Sequence, residues 1–232
     1  MYLNIRGINM IKKVIFLLLM IVTITTTAFA DEDSRWKWFY SNAYNSYYLD
    51  VNTIEYGCAY NAAMYWVKTE TINGDTYLNK WCIAFDEKMR EAVAWKDNDG
   101  QVHNYEKESM TLIPIRVESY DELEANAVCD QLKLPLIFGK KEHTWQWITS
   151  TGNRNYYICP EAIYRFGDSL YGFFVKDTTE NQGVDGKTVD LYFVNFNKKE
   201  IVSYDTRKSI KVIPGTPEEA IFNAVEKIVY DY

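Results

Sequence analysis

From Arg35 to Tyr40 the residues alternate, which places Trp36, Trp38 and Tyr40 on one face of a predicted strand. Tyr47 to Leu49 predicts a short second strand, and Asp50-Val51-Asn52-Thr53-Ile54 a turn or a single helical turn. Ala63 to Thr71 reads as a long strand with Tyr65, Val67 and Thr69 on one side and Trp66, Lys68 and Glu70 on the other. Asn73-Gly74 is a two-residue hairpin signal, and Tyr77 to Phe85 returns as the next strand. Arg90 to Trp95 follows, Asp99-Gly100 turns again, and Met110 to Ile115 is expected to close the sheet. The period then changes from two to about 3.6. Ser119-Tyr120-Asp121-Glu122 has the form of a capping box. Leu123, Ala127, Val128 and Leu132 make the apolar stripe of a helix that ends before Pro135.

The second half runs through the same order. Trp36-Lys37-Trp38 returns as Trp145-Gln146-Trp147, Tyr47-Tyr48 as Tyr156-Tyr157 and Val67-Lys68 as Val175-Lys176, at offsets of 109, 109 and 108 residues. A near-constant offset is the mark of an internal duplication. Strands are expected at Trp145 to Ile148, Tyr156 to Ile158, Tyr171 to Thr178, Lys187 to Phe196 and Glu200 to Tyr204, with Asp185-Gly186 as a hairpin turn. Thr216-Pro217-Glu218-Glu219 is a second capping box, and Ile221, Ala224, Val225, Ile228 and Val229 form its helix stripe. The predicted class is α+β: two tandem repeats, each an antiparallel meander with a C-terminal helix packed on one face. The first repeat is placed at 31–134 and the second at 144–232, with 135–143 as linker. Leu136-Ile137-Phe138 is too apolar for a solvated linker and is expected to pack against one domain.

The first thirty residues read as an export signal. Lys12-Lys13 precedes an apolar run from Val14 to Ile24, and Ala28-Phe29-Ala30 is a small-x-small cleavage site. Eleven apolar-rich residues are too short to span a bilayer, which takes roughly 20. Met10 is a second candidate start. Cleavage would remove Arg6, Lys12 and Lys13 and no acid, leaving 22 basic against 32 acidic residues, a formal charge of −10. That balance argues against nucleic acid and anionic lipid as partners. No second run of spanning length follows, so no membrane span is expected after cleavage. The expected location is the periplasm, the cell surface or the exterior.

Candidate chemistry is sparse. Asp97-x-Asp99-Gly100 with Glu106 partly fits a calcium loop, but Trp95 would occupy the first ligand position, so a hairpin turn is the better reading. His103 and His143 stand in no ligand-spaced motif, and neither a Gly-x-Ser-x-Gly nor a His-Glu-x-x-His is present. No catalytic residue, metal site or cofactor is therefore assigned. Cys58, Cys82, Cys129 and Cys159 are an even set, which in an exported chain reads as disulfides.

The spaced pattern Trp38, Tyr47-Tyr48-Leu49-Asp50, Ile54, Trp66-Val67-Lys68, Cys82, Ile113-Pro114 and Cys129 resembles the surface-adhesin protein E family. The resemblance covers about 35–132, and 144–231 more loosely, where Asp50 becomes Cys159. It implies a cell-envelope protein that binds host matrix and plasma proteins, and a disulfide tying helix to sheet. That bond would fall on Cys82 and Cys129, since Cys82 shares a face with Leu78 and Ala84 and Cys129 lies on the helix expected to cover it. Cys58 and Cys159 would then join the repeats if bonded. The chain has no lipobox cysteine, which sets it apart from a lipid-anchored adhesin.

The function read from the sequence is non-catalytic binding of a protein partner, an envelope or host protein. Trp66 with Lys68, and Phe174 with Lys176, are the candidate surface pairs, one on each repeat's open face. The alternatives are a periplasmic carrier holding a small apolar ligand between sheet and helix, and a hydrolase without a recognisable motif.

Overall fold

The computed structural model describes residues 32–106, 111–166, 169–179 and 187–231. The expected signal peptide, Met110 and the Asp185-Gly186 turn lie outside these. The chain forms two compact units. Among the described residues, one comprises those up to Ile115 with Tyr120–Pro135, the other Arg116–Ser119 with those from Leu136 onward.

In the first unit a single helical turn, α1 (Glu32–Arg35), leads into β1 (Trp36–Ser41), β2 (Asn45–Asp50) and β3 (Glu55–Gly57). The long strands β4 (Ala62–Thr71), β5 (Thr76–Ala84) and β6 (Met89–Lys96) follow, then the short β7 (Val102–Asn104) and β8 (Ile113–Pro114). They make one antiparallel sheet in the order β1-β2-β4-β5-β6-β7, with β3 against β4 and β8 against β6. The β4–β5 turn is a three-residue loop, not the expected two-residue turn. Thr71 and Asp75 flank it, and Gly74 takes φ +89°. Gly100 does the same at φ +77° between Asp97 and Gln101. Asn-Gly and Asp-Gly here supply the left-handed residue that follows a type I turn.

The helix α2 (Tyr120–Leu132) does not bury the stripe its sequence suggests. Leu123 is 44% exposed, while Glu122, Glu124, Ala125, Val128 and Cys129 are buried. The reason is a cation on the facing sheet. Arg90 donates to Glu124 at 3.0 Å, pairs with Asp121 and lies 4.1 Å from the Trp81 ring centroid. Tyr65 donates to Glu124 Oε1 at 2.8 Å. α2 therefore covers the Tyr65 face of the sheet. Tyr120, at its start, completes an aromatic cluster with Phe39, Tyr40 and Tyr47. A bulge between Trp38 and Tyr40 breaks the strict alternation and turns both Phe39 and Tyr40 toward that cluster.

Strand parity rules out the expected Cys82–Cys129 disulfide. Cys82 is paired with Met64 and so shares its face, which is opposite that of Tyr65. There it packs with Ala62, Met64 and Val93, while Cys129 is on α2 across the sheet. None of the four cysteines, Cys58 and Cys159 included, is in a disulfide. Burial pushes the Cys82 thiol up to about 12, with Glu91 adding to it. Burial also pushes Cys129 up to about 11, against the pull of Lys88. Such thiols stay protonated and slow near neutral pH. A brief alkylation of the native protein is expected to label exposed Cys58 alone, with Cys82, Cys129 and Cys159 reacting only after denaturation. Mass mapping of the labelled peptides checks this; a Cys82–Cys129 linked peptide would contradict it.

The second unit contains β9 (Gln146–Thr151), β10 (Arg154–Ile158), β11 (Tyr164–Arg165) and β12 (Leu170–Thr179), then β13 (Lys187–Asn195), β14 (Glu200–Ser203) and β15 (Ser209–Lys211). Their antiparallel order is β15-β14-β13-β12-β10-β9, with β11 against β12. The helix α3 (Pro217–Tyr230) starts with Pro217 at its first position. Thr216 accepts from the Glu219 amide, and Glu219 accepts from the Gly215 amide at 2.7 Å. Here the expected stripe faces the core, with Phe222 added to it. Ile221, Phe222 and Val225 join Ile158, Phe173, Val175, Val194 and Ile201 in one core, flanked by Ala224, Ile228 and Val229. The fold class is thus α+β, mostly antiparallel sheet, with a C-terminal helix. No helix among the described residues is long and apolar enough to cross a membrane.

Candidate functional site

The four residues expected to line open surfaces lie in different environments. Trp66 is half-buried, with the Lys96 ammonium 5.1 Å from its ring centroid. Lys68 is paired with Glu70 at 2.7 Å and sits over the rings of Tyr48 and Trp36, at 4.5 and 5.1 Å. Lys176 is paired with Glu118 at 2.8 Å and sits 4.1 Å over Trp145. Phe174 is fully buried, edge-on to Phe138, and is not a surface residue. The reason is the supposed linker: Ile137 and Phe138 are buried, and Phe138 covers this side of β12. Tyr164 covers it too, its ring lying where a Cβ on Gly172 would be.

The recurring Trp and Lys landmarks thereby acquire a physical role. In each unit the first tryptophan of the Trp-x-Trp lies under the strand lysine, Trp36 under Lys68 and Trp145 under Lys176. Such cation–aromatic pairs are worth about 0.5–2 kcal/mol, and they are local packing rather than a vacant ligand surface.

The second tryptophan differs. Trp38 is 58% exposed and Trp147 57%. The Trp38 indole N–H donates to Ser41 Oγ at 2.9 Å, and that of Trp147 to Ser150 Oγ at 3.1 Å. Ser41 in turn bonds Ser46, and Ser150 bonds Asn155. Both rings lie on edge strands, β1 and β9. Each is a large apolar face held at its polar end by the strand it stands on. In the sequence both residues are repeat landmarks only, because alternation gives Trp38 the same face as Trp36 and does not show which of the two lies under Lys68.

The second unit also carries a cleft of about 810 Å³ between one end of its sheet and α3. Ile163, Tyr171, Ile228 and Val229 give it an apolar floor, and Lys140, Glu161 and Arg165 bring charge to it. Glu161 follows Cys159 and Pro160 at the start of a 3-10 turn, Pro160–Ala162. Burial acts to raise its pKa, but the Thr144 amide at 2.6 Å, Lys140 and His143 together hold it below the usual carboxylate range. His143, Cys159 and Glu161 bring one ligand atom each within 4.8 Å of one another.

The other histidine is elsewhere. His103 stacks on Trp95 at 4.4 Å and bonds Asp97 at 2.6 Å beside the Gly100 turn. Asp97 also accepts from the amides of Asp99 and Gln101, as a turn residue does. In the second unit Asp190 has its pKa raised by burial and then by Asp205, with Asp177 adding to it and Arg116 opposing. Arg116 pairs with Asp205 at 2.5 Å.

No family model, curated protein or solved structure matches the chain.

Proposed function

We propose that this is an exported cell-envelope protein that binds a protein partner without catalysis, through tryptophan anchors on its two edge hairpins. The observation that carries the proposal is the matched pair Trp38 and Trp147, each more than half exposed and each tied through its indole N–H to a serine three residues on. Exposed tryptophans fixed in orientation lose little entropy on binding, and tryptophan is enriched among contact hot spots. Trp66, Lys68 and Lys176 act as support for the strands in this reading, and Phe174 as core.

The two units are proposed to be divergent copies of one module similar to the surface-adhesin protein E family. The support is positional. Trp38 and Trp147, Ser41 and Ser150, and Trp36 and Trp145 each recur at an offset of 109 residues with the same bonding. Two anchors on one chain gain avidity if the partner presents two sites.

A binding titration of the full-length protein against immobilised matrix and plasma proteins, alongside cell fractionation, tests the proposal. Saturable binding is expected. Trp38→Ala or Trp147→Ala should weaken it about 30-fold, the effect of removing a hot spot worth about 2 kcal/mol. Melting should be unchanged, because both rings are mostly in solvent. Binding indifferent to both substitutions, or retention in the cytoplasm, would sink it.

The cleft of the second unit favours a second reading, a carrier. Its apolar floor and charged rim suit a small amphipathic ligand rather than the purely apolar one expected from sequence. Ile228→Trp would fill the cleft. A carrier loses its ligand on that change, whereas binding through Trp38 and Trp147 is untouched.

A further inference from the structure

We propose that His143, Cys159 and Glu161 form a binding site for a divalent transition-metal ion of the zinc type. The three residues supply an imidazole nitrogen, a thiolate sulfur and a carboxylate oxygen, the donor set that zinc takes in proteins. All three donors lie within 4.8 Å of one another. His143 Nδ1 stands 4.0 Å from Glu161 Oε1, too far for a hydrogen bond between them. Donors around one tetrahedral zinc are roughly 3.3–3.6 Å apart, given bonds of about 2.0–2.3 Å. The trio therefore has to close by about an ångström, within the reach of side-chain rotation.

The surroundings fit a metal. The side chains of His143 and Glu161 are 1% and 13% exposed, and Cys159 is fully buried. Phe138 lies edge-on to the imidazole, an apolar wall that lowers the local dielectric. The Thr144 amide holds Glu161 in place and favours its ionised form. Glu161 also lines the 810 Å³ cleft, which gives the trio an entry path from solvent. A thiolate and a carboxylate carry two negative charges, which one divalent ion neutralises.

A comparison within the chain points the same way. Cys159 stands 109 residues after Asp50, and Glu161 109 after Asn52. In the first unit Asp50 is fully buried and is neutralised by Arg35, whose Nε donates to it at 2.8 Å. In the second unit Thr144 stands 109 after Arg35, so no guanidinium is supplied from that position. Where the first unit uses an arginine cation against a buried anion, the second gathers three metal-ligating groups.

Cobalt(II) titration of the reduced, chelator-treated full-length protein tests this, because thiolate ligation gives a charge-transfer band in the near ultraviolet. The expected result is one equivalent bound, with that band and the visible bands of a four-coordinate ion, displaced by zinc. Cys159→Ser should abolish the charge-transfer band. His143→Gln and Glu161→Gln should each weaken binding at least 10-fold, and Cys58→Ser should leave it intact. The His143 and Glu161 variants keep the test open if Cys159→Ser fails to fold. Absence of the band in the parent protein overturns the proposal, leaving His143 as an ion-pair partner of Glu161. So does a band that survives Cys159→Ser or vanishes with Cys58→Ser, since the thiol would then lie elsewhere.

Discussion

Replacing Glu124 by alanine is expected to destabilise the first unit by about 3–5 kcal/mol, the cost of breaking a buried ion pair from one side. Glu124 is fully buried and accepts from both Tyr65 and Arg90. Its loss strips the Tyr65 hydroxyl of its acceptor and leaves Arg90 with Asp121 alone, beneath Trp81. The melting temperature should fall by about 10 °C or more. Replacing Glu124 and Arg90 together by leucine and methionine should recover much of this, because the desolvation cost of the pair disappears with it. The same cluster governs the alkaline limit. Burial, then Glu124, holds the hydroxyls of Tyr65 and Tyr120 protonated well above the usual phenol range. A raised tyrosine pKa stabilises the fold fully below about pH 10, where the unfolded phenol titrates, and that contribution is lost as the pH rises through the folded value. Thermal melts of Glu124→Ala at neutral pH, and of the parent from pH 8 upward, check both expectations. A neutral-pH melt within a degree of the parent would mean that the cluster is not structural.

That cluster was the least legible part of the sequence. Period-two alternation and the Asn-Gly and Asp-Gly signals locate the long strands β4 to β6 within one or two residues, although their inner halves are buried on both faces. The stripe of α3 was readable because every buried position there is apolar. In α2 periodicity misleads: Glu124 looks like a solvated charge until Arg90, 34 residues before it, is seen on the facing strand. The disulfide failed on parity. Alternation correctly put Cys82 with Leu78 and Ala84, but which face α2 would cover depends on Tyr65 and Arg90, and those lie on the other side. Phe174 failed because its cover, Phe138, comes from a segment read as linker. His143, Cys159 and Glu161 had no spacing to betray them, since the imidazole reaches the thiol across a strand hairpin rather than along one helix. Trp38 shares its face with Trp36, as alternation says, and only the placement of Lys68 over Trp36 separates the covered ring from the exposed one.

Aspartate at Val225 is expected to unfold the second unit, and aspartate at Val128 the first. Both valines are fully buried. Val225 packs in the core with Phe173, Val194 and Ile201, where a carboxylate finds neither water nor a cation. The group would neutralise rather than stay charged, and burial of the unpaired polar head with the mispacking around it should cost more than about 4 kcal/mol. That is comparable to the whole stability of a small unit. The contrast that gives the experiment its force is Leu123→Asp. The periodicity of α2 groups Leu123 with Val128 in one stripe, yet Leu123 is 44% exposed and Val128 fully buried. Leu123→Asp should therefore change stability by less than about 0.5 kcal/mol, as surface substitutions do. Thermal melting ranks the three variants, and hydrogen exchange locates the damage: β12 and β13 should lose protection in Val225→Asp, and β4 to β6 in Val128→Asp. Equal losses for Leu123→Asp and Val128→Asp would mean that α2 docks by the face its sequence suggests, with the Glu124 cluster turned to solvent.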